Sequence, residues 1–427
     1  MRCGIFVKIL NGRLAMFVPF ANASYTNTWS HKLQIDPRFK DIHEYFQAYG
    51  KCFQPIEYIR DAAKWWANGS MICNVEPHDI WGGHGLVPLR DLFVKLCRQR
   101  CIQDCEFFVN KRDSPMLKKD VTEPFDAIFN DHSCPLSRQV HAHYAPILSF
   151  YTNPRFADIP FPSADDWMVA TGKVYPREND LFSSFNYTQH YVPWSQRIAT
   201  AFFRGNATGS GVKPETNQRI RLAQLSHDWG EIPKYNAMNP IDQTMFLDAG
   251  LTSWNPRSKI RFGERMCFIE PTNLSIGLVE PVPMSVQCRY KYQVYVAGHC
   301  AASRFSYLAK SAALILFVES NDDDDSQLWY APLLQPMHHF IPVKADLSDL
   351  AQRIEWCKTH DDQCEAIASN VKNFYDQYLC ENAILDYAEL TVNSIAASFV
   401  APAKKPSFGK FVPHTPYLSS SAQTFPH

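Results

Sequence analysis

The sequence predicts an α/β protein of two domains, and three observations predict it. At roughly 100 to 200 residues per domain, a length of 427 allows two or three domains. A hydrophobic content of 46% with 14% aromatics is ample for burying real cores. From Ala199 onward, apolar runs alternate with small-residue loops and helical spacing, the pattern of parallel strands covered by helices on both faces.

The elements follow in order. Cys3 to Leu10, the pair Asn11-Gly12 and Arg13 to Phe20 read as two strands around a type I′ turn. The same stretch resembles a signal peptide at Met1 and Arg2, but Lys8, Asn11 and Arg13 interrupt its apolar segment. Pro88 to Cys105 has the spacing of an amphipathic helix, with its proline in the first turn, where a missing N–H costs little. Glu106 to Asn110 is a short buried strand that ends in the polar cluster Lys111-Arg112-Asp113-Ser114-Pro115. Gly172 to Trp194, punctuated by Pro176 and Pro193, is expected to connect two domains.

Beyond it, the strand Ala199 to Phe203 runs into a loop from Arg204 to Gly211, and Asn217 to Leu225 takes helical spacing. The pattern repeats with a strand Tyr292 to Val296, the small-residue turn Gly298 to Ser303, a helix from Arg304 and the strand Leu314 to Val318. Leu347 to Lys358, Asp361 to Tyr378 and Glu381 to Ala397 are three successive helices, and past Ala401 the Pro, Ser and Lys content predicts a disordered tail. The expected division is a first α/β domain over 1–175, a second over 176–385, a closing helix over 386–400 and a tail over 401–427.

Composition excludes several functions. Lys+Arg 42 against Asp+Glu 43 leaves a formal charge of −1, so nothing marks the chain for a nucleic acid or an anionic membrane surface. The longest apolar run, Ala312 to Val318, falls far short of the ~18 residues of a membrane-spanning helix. Thirteen cysteines include no C-x-x-C pair. Cys97, Cys101 and Cys105 would share one helix face, where buried thiols are a better reading than metal ligands because no histidine accompanies them. His141/His143 and His338/His339 lack the helical spacing of catalytic zinc and are taken as structural. The run Asp322 to Asp325 reads as a solvated insertion, since adjacent carboxylates repel and converge only on a metal. Asn22, Asn68, Asn186, Asn206 and Asn273 head glycosylation sequons that a secreted chain could use.

Two loops are candidates for chemistry, because ligands of parallel α/β sheets bind beyond the carboxyl ends of strands. Arg304 opens a helix, where a cation opposes the macrodipole unless an anion lies between them; the alternative is a surface arginine paired with a carboxylate. Arg204 ends a strand and precedes Gly205, Gly209 and Gly211, which let the backbone approach a ligand or simply make a flexible loop. Neither G-x-x-x-x-G-K-S/T nor G-x-G-x-x-G occurs, so ATP-dependent phosphoryl transfer and dinucleotide binding lack support. Asp113, after a buried strand and a basic pair, suits a general base or a turn residue ahead of Ser-Pro.

These residues also carry a resemblance. Tyr290-Lys291-Tyr292, Ala301 to Phe305, Phe340 to Leu347, Phe203-Arg204-Gly205-Asn206 with Thr208, and Val109 to Pro115 together resemble the protein O-glucosyltransferase (Rumi-like) family, which includes capsule-associated xylosyltransferases. The likeness runs in order over about residues 100 to 395. It implies a GT-B fold of two Rossmann-like domains with an interdomain cleft, and inverting transfer of xylose or glucose from a UDP-sugar to a hydroxyl of a glycan or protein acceptor. It implies Asp113 as catalytic base and donor-site roles for Arg204, Gly205, Asn206, Thr208, Arg219, Asp248, Ser303 and Arg304, with Arg219 and Arg304 at the diphosphate. Arginines in that role replace a metal, so no metal or cofactor is expected. The alternative is a catalytically silent carbohydrate- or partner-binding protein on the same scaffold, and Trp65, Trp66, Trp167 and Trp194 would suit sugar stacking in either case. Luminal relatives pair a cysteine at the position of Cys288 with one on the next helix, where this chain has Ser311. With Thr424-Phe425-Pro426-His427 as its last residues and no retention signal, the expected compartment is the cytoplasm, with the endoplasmic reticulum or Golgi lumen as the alternative.

Overall fold

The computed structural model describes residues 3–21, 86–110, 113, 115, 146–172, 192–232, 245–255, 269–320 and 327–400. The expectations for Trp65, Trp66, His141, His143, the Asp322 to Asp325 run, the sequons at Asn22, Asn68 and Asn186, most of the connection after Gly172 and the tail past Ala401 lie outside these residues. The chain divides into two compact units, one of Met1–Trp167 with Glu381–His427 and one of Met168–Cys380. Both are α/β.

In the first unit, β1 (Cys3–Leu10) and β2 (Arg13–Ala21) form an antiparallel hairpin. Asn11 and Gly12 take φ of 51° and 67°, the left-handed pair that a type I′ turn requires. β3 (Cys105–Asn110) lies antiparallel to β1, and β4 (Ile147–Ser149) and β5 (Ile159–Pro160) extend the sheet in parallel, giving the order β2-β1-β3-β4-β5. α1 (Leu86–Gln99) turns Leu89, Leu92, Phe93 and Leu96 to the core, where Phe93 meets the rings of Phe17, Phe107 and Phe161. The helix expected to reach Cys105 stops at Gln99, because Cys105 pairs with Ile9 and must already be extended. Cys97, Cys101 and Cys105 therefore share no helix face, and Cys101 is exposed. The last helix, α7 (Glu381–Val400), belongs to this unit, its Asn393 side chain bonding to Gln103 N–H and Cys101 C=O at 2.9 Å each.

The second unit is a doubly wound parallel sheet. β6 (Ile198–Gly205), β7 (Leu247–Leu251), β8 (Tyr290–Tyr295), β9 (Leu314–Val318) and β10 (Ile341–Val343) lie in the order β10-β9-β8-β6-β7, with every neighbouring pair parallel. After β6 the chain steps outward to β7, then crosses back to β8 and continues the other way. The winding direction therefore reverses between β6 and β8, and such a switch point opens a crevice at the carboxyl ends of its two strands.

The short helix α2 (Ala164–Thr171) follows β5 in sequence, and helices α3 (Gln218–Gly230), α4 (Phe305–Lys310), α5 (Leu350–Thr359) and α6 (Asp361–Phe374, continued by a π turn Tyr375–Leu379) belong to the second unit. Asn217 caps α3, its side-chain oxygen accepting from Arg219 and Ile220 N–H at 3.0 and 3.1 Å. Phe203, Leu222, Val294, Leu316 and Ile354 fill one core.

Lys291 explains part of the Tyr-Lys-Tyr segment as architecture. Its Nζ bonds to both carboxylate oxygens of Asp361 at 2.7 and 2.8 Å and lies 5.0 Å from the ring centre of Trp194, tying β8 to the start of α6. Trp194 donates to Asp361 as well, and Trp167 is wholly buried and donates to Asp91. Neither indole face is free to stack a sugar, which corrects the expectation for both. Cys288 is a free thiol beside the Ser311 side chain, and burial pushes its pKa up to about 11.

Candidate functional site

Two loops meet at the carboxyl ends of β6 and β8. The first leaves β6 at Gly205 and is tied back by Asn217, whose Nδ2 donates to the carbonyls of Thr208 and Gly211 at 3.3 and 3.1 Å. The second runs from Val296 to Arg304. They touch at Gly298, where a Cβ would lie 2.7 Å from Thr208 Oγ1 and 3.2 Å from Arg219 Nη2. Only glycine permits that approach. Asn206 holds the outer side, its Oδ1 accepting from Thr252 Oγ1 at 2.9 Å. Ser303 is half-buried in the second loop and accepts from Ser306 through its carbonyl.

Arg219, in the first turn of α3, fastens the loops together. Its Nε donates to Ala297 C=O at 2.9 Å, its Nη2 to Val296 C=O at 3.0 Å and its Nη1 to Asn206 C=O at 3.0 Å. A guanidinium carries five N–H bonds, so one hydrogen on each Nη is left over. Arg304 precedes α4 and is half-buried. A Cβ on Gly205 would lie 2.9 Å from Arg304 Nη2 and 3.5 Å from Arg219 Nη1, so both guanidinia border the same point.

No carboxylate forms an ion pair with either arginine among the described residues. Burial, then repulsion from Arg304, pulls the Arg219 pKa down to about 9, and burial pulls Arg304 down to about 10. Both stay charged at neutral pH. Two adjacent cations withdrawn from water without counter-charge are costly alone, and an anion carrying at least two negative charges relieves the cost.

The structure separates the expected donor residues into two groups. Gly205, Asn206, Thr208, Arg219, Ser303 and Arg304 gather at the switch point. Arg204 and Asp248 do not join them. Successive side chains of a strand point to opposite faces, so Arg204 lies with Phe202 on the face away from Phe203. There it sits 4.6 Å from the Phe202 ring centre and bonds to Asp248 Oδ1 at 2.7 Å. Its charge is already matched. Phe203, Asn217 and Gly298 complete the switch-point cluster, and the sequence reading assigns them no site role. Strand alternation over β6 was the available signal for Phe203.

Asp113 lies in the other unit, half-buried, three positions beyond the end of β3. At the carboxyl ends of β3 and β4 a buried chain runs from Asn110 Nδ2 to Ser149 Oγ at 3.1 Å and from Ser149 Oγ to Asp158 Oδ1 at 2.5 Å. It fixes the ends of β3 and β4. Among the described residues, no group of three or more His, Cys, Asp or Glu side chains could hold a metal ion.

The sequence model of glycosyl transferase family 90 matches residues 89–407. Uncharacterized protein 035R of invertebrate iridescent virus 3 is 35% identical over 413 residues, covering 93% of this chain and 35% of that protein. Human protein O-glucosyltransferase 3 is 26% identical over 278 residues, covering 65% of this chain and 44% of that protein. The solved structure of Anabaena HepE in complex with UDP-glucose is 10% identical with a TM-score of 0.34, over 81% of this chain and 84% of that one. The chain thus spans about a third of the viral relative and less than half of the human one.

Proposed function

The chain belongs to glycosyl transferase family 90, and from that premise we propose that it moves xylose or glucose from a UDP-sugar to a hydroxyl of a glycan or protein acceptor, inverting the anomeric carbon. The observation that carries this reading is the pair Arg219, buried, and Arg304, half-buried, which have no carboxylate partner among the described residues and stand at the switch point of a parallel sheet. A diphosphate supplies the missing negative charge. As the bond from sugar to phosphate breaks, charge grows on the leaving oxygen, and donors already aimed there stabilise it without reorganising.

In this reading Asp113 removes the proton of the acceptor hydroxyl as that oxygen attacks the anomeric carbon, and UDP departs from the opposite face. The arginines take the role a metal would otherwise have. The name of the human relative favours glucose as the donor sugar, and xylose is the competing choice. The free thiol of Cys288 beside Ser311 supports a reducing compartment.

A panel of UDP-sugars scored for UDP release with glycan and glycoprotein acceptors tests the proposal. Release from UDP-glucose or UDP-xylose that depends on acceptor supports it. Binding without release from any donor would favour a silent sugar-binding protein.

A further inference from the structure

We infer that Phe203 is a positioning residue of the arginine pair: its ring carries both guanidinia in the place a carboxylate would otherwise take. The inference deepens the proposed function and rests on it. Arg304 Cζ lies 4.9 Å and Arg219 Cζ 5.7 Å from the Phe203 ring centre, both within the ~6 Å reach of a cation–π contact. The ring is wholly buried in the core of the second unit, packed with Ala201, Leu222 and Val294, so its position is set by the sheet. Gly205 makes the contact possible, since a Cβ there would lie 3.0 Å from Phe203 Cζ and 2.9 Å from Arg304 Nη2.

The choice of an aromatic face has a chemical consequence. A carboxylate beside these arginines would neutralise them and occupy the N–H groups that a phosphate needs. A ring attracts a cation through its quadrupole while carrying no net charge and accepting none of the in-plane N–H bonds. The same sheet contains the contrasting case. Arg204 stacks on Phe202 at 4.6 Å but is also bonded to Asp248, and so has its charge matched within the protein. Arg304 lies against the ring with no carboxylate partner among the described residues. Phe203 thus holds the free site ready for an anion, and the gain appears in affinity because less side-chain freedom is lost on binding.

The test replaces Phe203 by mono-, di- and trifluorophenylalanine, which keep the shape of the ring while draining electron density from its face. UDP affinity by calorimetry should fall at each step, by about 3- to 30-fold over the series, with the thermal midpoint unchanged. A flat series would overturn the inference, because a packing role does not respond to fluorination. A second readout is independent of nucleotide: the Nε–H resonance of Arg304 in the UDP-free protein should carry a ring-current shift that Phe203→Leu abolishes. Absence of that shift in the native protein also overturns the inference. If UDP fails to bind the native protein, the proposed function falls, and the Arg304 resonance still decides the role of Phe203.

Discussion

Arg219 and Arg304 border one point in space, the position a side chain would occupy on Gly205, and no carboxylate among the described residues stands between them. Gly205→Ala is therefore a selective perturbation. Its methyl would meet the movable end of Arg304 and the fixed edge of Phe203. The variant should fold with a loss of about 1 to 2 kcal/mol, the lower range for overpacking. UDP affinity should drop at least tenfold as Arg304 is displaced. Urea unfolding and calorimetry on one preparation separate the two effects.

Asp113 is expected to act on the acceptor and leave the donor untouched. Asp113→Asn keeps the shape and removes the basicity, so UDP-sugar binding should persist while turnover falls by about two to four orders of magnitude. Near-native turnover would remove Asp113 from the role of base. A product that retained the donor's configuration would end the single-displacement mechanism.

His339 sets an acid limit on stability. Its Nδ1 accepts from Gln335 N–H at 3.0 Å, and burial, followed by repulsion from His338, lowers its pKa from 6.5 to about 4. The unfolded chain takes up a proton below pH 6.5 that the native state refuses until about pH 4. Stability should therefore fall as pH drops through this window, by about 1 to 3 kcal/mol after allowance for partial solvation, and level off below it. His339→Asn preserves an acceptor without a titrating group and should flatten the dependence of the urea midpoint on pH.

Transfer should continue in EDTA, since arginines and not a metal are assigned to the diphosphate. Complete loss in EDTA with recovery on adding Mn²⁺ would contradict this and direct attention to Asp322 to Asp325.

Much of the fold was legible where local chemistry decides it. Asn11-Gly12 fixes a turn because few other pairs accept positive φ twice, and Leu314 to Val318 is apolar throughout because the sheet is covered on both faces. The end of α1 was not legible, because it depends on pairing of Cys105 with Ile9, nearly a hundred residues away. At the site, Arg304 was reached from its place at the start of a helix, where a cation opposes the macrodipole, and Arg219 through the family's pattern of residues. The pairing of Arg204 with Asp248 was not, although alternation along β6 already places Arg204 opposite Phe203. Trp167 and Trp194 misled for a related reason: composition counts aromatic rings but does not say which are already buried.

Calorimetric titration of UDP, in EDTA, into the native protein and into Arg304→Ala is the most direct test of the arginine site. A diphosphate seated on Arg219 and Arg304 predicts saturable binding to the native protein, weakened in the variant by about 1.5 to 3 kcal/mol, the scale of a charge-assisted hydrogen bond. Equal affinities for the two proteins, or no binding to the native protein, would contradict it.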